Sequence, residues 1–97
     1  MDVTYRLNDV EFVWNSEKAE SNLDRHDINF YDACAVFFDP YCVDGDASRN
    51  DEDRSYILGF SQRQKLLFVV YVERGIRTRI ISARPATAHE RKTYEGH

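Results

Sequence analysis

Ile76-Arg-Thr-Arg-Ile-Ile-Ser-Ala-Arg-Pro-Ala-Thr-Ala-His-Glu-Arg-Lys-Thr-Tyr94 reads as a strand that ends at Arg84-Pro85 and passes at once into a helix. Thr87 and Glu90 form a Thr-x-x-Glu capping box, which sets the helix start and lets it run to about Glu95. Arg77, Arg79, Arg84, Arg91 and Lys92 put five of the chain's thirteen Lys and Arg residues into these nineteen positions, in a protein of net charge −4. A cationic cluster held against an acidic balance suits phosphates or the carboxylates of a partner.

Working back, Arg74-Gly75 supplies a hairpin turn, and Lys65–Glu73 (KLLFVVYVE) precedes it. Leu66–Val72 has no polar alternation, so both its faces are covered and it is the central strand. The same run is far too short to span a bilayer. Gln62-Arg63-Gln64 turns the chain back from a first meander strand, Arg54–Ser61, and Tyr41–Asp53 reads as an acidic, solvated loop. Asn29 opens a short helix with Asp32 in an approximate capping box, apolar at Phe30, Ala33, Val36 and Phe37 and stopped by Asp39-Pro40. Before it, Asn15 caps a helix over SEKAESNLDRH, with Ala19, Leu23 and His26 on one stripe and Lys18, Asn22 and Arg25 on the next. Val10–Trp14 is a short β segment, and Val3–Leu7 a separate extended piece ahead of it. The order β-α-α-β-β-β-α predicts one α+β domain over residues 1–97, an antiparallel sheet packed against helices.

Composition fits a packed soluble domain, 42% apolar with 31% charged residues, and the N-terminus lacks a secretory pattern, so a cytoplasmic location is expected. Cys34 and Cys42 lack metal-site spacing and are expected to be buried free thiols. Asp44, Asp46, Asp51 and Asp53 lack the spacing of a calcium loop, so no metal or other cofactor is expected. The low pI, near 5.3, argues against broad non-specific nucleic-acid binding.

Several motifs then fall in order: Phe12-x-Trp14-Asn15, Lys18-Ala19, Asn22, Arg25-His26-Asp27-Ile28-Asn29-Phe30, Asp39-Pro40, Arg54, Gly59-x-Ser61, Glu73-Arg74-Gly75, Arg79–Arg84, Glu90-Arg91 and Tyr94-Glu95. Together they resemble the BrnT toxins over nearly the whole chain from Phe12. The resemblance implies a small ribonuclease of a type II toxin–antitoxin pair with a RelE-like fold. It also implies a BrnA-like ribbon-helix-helix antitoxin as partner, with operator DNA reached only through that antitoxin. Asp27 stands where the family carries Gly, so the turn after His26 requires a left-handed Asp. A homologue that no longer cuts and serves as an antitoxin-binding co-repressor subunit is the alternative.

RNA carries its own nucleophile, so a ribonuclease needs only a proton acceptor, a stabiliser of phosphorane charge and a proton donor; this logic requires no metal. His26 is the candidate proton carrier, or else a helix-terminal His facing the last carbonyls. Glu73 is a base or the cross-hairpin partner of Arg77. Arg84 binds phosphate with its fork or makes a structural salt bridge. Lys18, Asn22, Arg54, Arg79 and Arg91 are candidate RNA- or phosphate-binding residues, with Glu95 as an alternative partner for Arg91. Strict alternation puts Arg79 and Arg84 on opposite sides of their strand unless a bulge intervenes. His89 and His97 read as surface residues, and Phe12 and Trp14 as core anchors rather than a base-stacking platform.

Overall fold

The structure, a computed structural model, describes residues 1–96; His97 lies outside the described residues. Strands β1 (Asp2–Leu7) and β2 (Val10–Asn15) lead into α1 (Ser16–His26) and α2 (Phe30–Cys34), which tightens into a 3-10 turn over Ala35–Phe38. Strands β3 (Val43–Asp46), β4 (Ser55–Phe60), β5 (Leu66–Arg74) and β6 (Arg77–Pro85) follow, and α3 (Ala88–Glu95) closes the order. The six strands form one sheet in the order β1-β2-β6-β5-β4-β3, with β5 and β6 in the middle. All neighbours are antiparallel except β2 and β6, which pair in parallel over Glu11–Val13 and Arg77–Arg79. The expected antiparallel sheet packed against helices forms, with this one parallel pair added. β2 must run on into α1, and β6 returns beside it only after the meander has turned the chain.

The helices cover one face of this sheet. Phe12 and Trp14 of β2, Ile57 of β4, Leu67, Val69 and Tyr71 of β5, and Ile80 and Ala83 of β6 meet Ile28, Phe30, Ala33, Cys34 and Val36 in a single core. Phe12 packs against Phe37 and Trp14 edge-on against Phe30, so the aromatics anchor the helical layer as expected. Each large side chain fully removed from water stabilises the domain by roughly 1.5–3 kcal/mol. Cys34 is buried and Cys42 half-buried, both free, and burial pushes the Cys34 thiol up to about 12.

Local signals account for the helix ends. Asn15 accepts from the N–H groups of Glu17 and Lys18, and Asp27 takes the left-handed conformation (φ 60°) that closes α1. Thr87 and Glu90 complete the capping box of α3. At α2 only half of the expected box forms: Asn29 accepts from Asp32 N–H, while the buried Asp32 carboxylate reaches Arg63 N–H in the β4–β5 turn. Asp39 similarly accepts from Phe60 N–H and from the Tyr94 hydroxyl, tying the 3-10 turn to β4 and α3.

Two expectations fail. Leu23 is 44% exposed, and the buried residue of α1 is Asn22, from the polar stripe. The helix lies beside a strand edge, where a carboxamide is worth more than an apolar side chain. The acidic 41–53 segment is no loop but the arm of a hairpin. The β3–β4 register from Val43↔Leu58 to Asp46↔Ser55 continues without slip through the Ala47 N–H to Arg54 C=O bond and the Arg49–Glu52 bridge. Asn50 and Asp51, both left-handed (φ 52° and 65°), make its tip, the conformation a tight hairpin turn demands.

Candidate nucleic-acid interface

The site begins with an irregularity in β6. Val70 pairs with Ser82 but Tyr71 pairs with Ile80, so Ile81 is an extra residue bulged out of register. A bulge reverses the alternation beyond it. Ile80 and Ala83 therefore both enter the core, whereas Arg79, Ser82 and Arg84 stand on the other face, opposite Val72, Val70 and Phe68. The two arginines that strict alternation separates share one side of the sheet.

That side is walled by the hairpin arm and by α1. A cleft of about 500 Å³ lies between Ser48, Arg49 and Arg54 of the arm and Phe68, Val70, Ser82 and Arg84 of the sheet. A second, of about 430 Å³, lies between Glu52, Asp53 and Arg54 and a wall of Arg74, Arg79, Ile81 and Lys18. A third, of about 160 Å³, is lined by Lys18, Ser21, Asn22, Arg25 and His26 of α1 with Ile81 and Ser82. Arg54 joins the first two, Ser82 the first and third, and Lys18 and Ile81 the second and third, so the three make one groove centred on the bulge. Its cations outnumber its carboxylates, although the whole chain carries more acids than bases.

Three of those cations are held by acids of the chain. Arg84 Nη1 and Nη2 each donate at 2.8 Å to Glu90, a bidentate pair that holds the Glu90 carboxyl below the usual range and the guanidinium above its own. The Arg84 side chain is 34% exposed and still lines the 500 Å³ cleft. Arg79 donates to Asp2 at 2.7 Å and Arg54 to Glu52 at 2.6 Å; Asp2 and Glu52 are both largely solvated, so these pairs are weakly held.

The candidates from sequence distribute unevenly. His26 is half-buried on the small cleft, with Lys18 and Ser82. Lys18, Arg54, Arg79 and Arg84 line the same groove. Asn22 does not offer its amide to a ligand: Nδ2 donates to Ile28 C=O and Ala83 C=O, and Oδ1 accepts from Ala83 N–H. Glu73 alternates to the side of Tyr71, yet at the strand end it lines a further cleft of about 370 Å³ with Asp46, Asp53, Arg54, Ser55 and Val72, which adjoins the groove through Asp53 and Arg54. The Glu73–Arg77 pairing is absent as well, because Glu73 faces Thr78 and Arg77 pairs with Glu11 at 2.7 Å. Arg91 and His89 are exposed on α3, and neither lines these clefts. Among the described residues, no group of three or more His, Cys, Asp and Glu is arranged to hold a metal ion. Arg25, Arg49, Arg74 and Ser82 were not singled out from sequence. Asn50-Asp51, a dipeptide suited to left-handed turns, was the available sign that Arg49 and Arg54 flank a hairpin tip.

Fold and groove define the class: a small α+β domain with helices on one sheet face and a cation-lined trough on the other. The chain belongs to the BrnT family, whose model, described as the ribonuclease toxin BrnT of type II toxin–antitoxin systems, matches residues 14–90. The fold is similar to that of the Brucella abortus ribonuclease toxin BrnT, with a TM-score of 0.62 and 21% identity, covering 76% of this chain and 92% of that one. No curated protein matches the sequence. Membership of a type II family implies an antitoxin partner. Among the described residues, no helix is long and apolar enough to cross a membrane.

Proposed function

We propose that the protein is a metal-independent RNA endonuclease, the toxin of a pair neutralised by a BrnA-like ribbon-helix-helix antitoxin. The observation that carries this reading is the bulge at Ile81, which brings Arg79, Ser82 and Arg84 onto one groove with Lys18 and His26. In the reaction, the His26 imidazole takes the proton of the RNA 2′-hydroxyl. The 2′-oxygen bonds to phosphorus, and the 5′-oxygen leaves with a proton from the imidazolium or from water. Arg84 stabilises the charge gathering on the phosphorane oxygens, and Lys18, Arg54 and Arg79 hold the flanking phosphates. Asn22 keeps α1, and with it His26, against β6. Glu73 and Arg91 take no step in this scheme. An acidic segment of the antitoxin covering the same cations would neutralise the toxin, and operator DNA would be met only through the antitoxin.

Induction in a bacterial host without the antitoxin tests this. Wild type is expected to stop growth and degrade RNA, while Arg84→Ala and His26→Gln, checked for folding by circular dichroism, permit growth. Purified wild type is expected to cut RNA with a chelator present. Normal growth at full soluble expression of wild type would refute the reading.

One observation favours a second reading, a homologue that binds antitoxin without cutting: Arg54, Arg79 and Arg84 already have acidic partners. The same growth assay separates the two.

A further inference from the structure

Arg84 is fixed more completely than a salt bridge requires. The Tyr56 ring lies on Gly45, so closely that a Cβ there would come within 2.5 Å of it. Tyr56 stacks on Phe68 with ring centroids 4.9 Å apart and an interplanar angle of 17°. The Arg84 guanidinium carbon sits 4.3 Å from the Phe68 centroid, continuing the row from β3 to β6. Glu90 then grips the guanidinium edge-on, while its own Oε1 also accepts the Thr87 N–H at 2.9 Å, so the carboxylate is held by the start of α3. One ring fixes the plane of the fork, and one anchored carboxylate fixes its rotation within that plane.

The donor inventory of the fork then matters. Of five N–H groups, Glu90 takes one on each Nη, and Pro85 C=O accepts from Nη1 at 3.2 Å. Nε–H and the second Nη2–H remain, side by side on the edge directed away from Glu90. That edge is a bidentate match for two phosphate oxygens. An arginine serving stability alone has no need of an unengaged edge on a side chain that lines the 500 Å³ cleft.

We propose that Glu90 is a positioning residue for the reaction: it turns Arg84 so that Nε–H and the free Nη2–H meet the scissile phosphate. This rests on the reading of the groove as an RNA-cleaving site. The distinguishing experiment compares Glu90→Gln with Thr87→Ala, because Thr87→Ala weakens the α3 cap but leaves the Glu90–Arg84 grip in place. On a short fluorescent RNA, Glu90→Gln is expected to lower kcat about 10- to 100-fold with KM within about twofold. Thr87→Ala is expected to keep kcat near wild type although its Tm falls. An unchanged kcat in Glu90→Gln, or an equal loss of kcat in Thr87→Ala, would overturn the proposal. The guanidinium NMR signals of Arg84 in the free protein give an answer independent of cleavage. Separate, slowly rotating Nη signals in wild type that average in Glu90→Gln support the grip, and averaged signals in wild type overturn it. Wild type that leaves RNA intact while retaining separate Arg84 signals would sink the cleavage reading and, with it, this role for Glu90, leaving the grip as structure only.

Discussion

Asn22 on α1 pairs with both backbone groups of Ala83 on β6, accepting its N–H at 3.1 Å and donating to its C=O at 2.8 Å. It does what a neighbouring strand would do. β2 pairs with β6 only as far as Arg79 and then leaves for α1, so the edge of β6 beyond the bulge would otherwise be buried without a partner. A side chain on the helix that displaced the strand completes the ladder.

Asn22→Ala leaves Ala83 N–H, Ala83 C=O and Ile28 C=O short of a partner. Each unmet buried group costs about 1–3 kcal/mol, so a total loss of roughly 3 kcal/mol or more is expected, a large share of a small domain's stability. Urea unfolding at neutral pH measures it. A loss below about 0.5 kcal/mol would mean that the interaction is replaced by water.

Asp2 and Glu52 engage Arg79 and Arg54, the two guanidiniums that the proposed function assigns to flanking phosphates. Asp2→Asn and Glu52→Gln are expected to tighten binding of single-stranded RNA. They should also steepen the salt dependence, by up to about 0.7 in log–log slope for each cation released to a phosphate. Fluorescence anisotropy at several salt concentrations reads both quantities. An unchanged slope would place Arg79 and Arg54 outside the RNA path.

His26→Gln keeps a planar polar group on the small cleft but cannot exchange a proton near neutrality. Cleavage is expected to fall about 100-fold or more, with RNA affinity and the circular dichroism spectrum little changed. Equal losses of affinity and rate would instead make His26 a binding residue.

Arg84 and the Thr87 N–H hold the Glu90 carboxyl below its ordinary value of 4.5. Its folded pKa lies below its unfolded one, so its stabilisation is complete above about pH 4.5 and is lost as pH falls through the lowered native value. Urea midpoints taken from about pH 6 to about pH 3 should therefore fall more steeply for wild type than for Glu90→Gln. Parallel curves would show that the pair adds nothing to stability in acid.

Signals that act within a few residues were readable in the sequence. Asn15, Asn29 and Thr87 mark helix starts, the unbroken apolar run of β5 marks a middle strand, and Asp27 takes its left-handed turn because the chain must reverse there. Pairings between distant segments were not readable. Nothing in Val10–Asn15 announces a parallel partner some seventy residues later, and Ile80-Ile81-Ser82 has no glycine to betray a bulge. β3 is hidden because its residues, Val43-Asp-Gly-Asp46, are acidic, and two-residue Asn-Asp turns, here at both 8–9 and 50–51, are weaker signs than Asn-Gly. The groove was legible as a set of residue types, Lys18, His26, Arg54, Arg79 and Arg84, but not as a surface. The surroundings of Asn22 and Glu73 are not legible from residue type, because burial decides what the first faces and strand parity what the second faces.

β6 sits between the β1–β2 hairpin and the β5-β4-β3 meander, yet it is the last strand in the chain. Until it arrives, the first two strands and the next three have no edge in common, and each of the three clefts of the groove lacks the side that residues 79–84 supply. A chain that ended after β5 would have both groups of strands and nothing to join them.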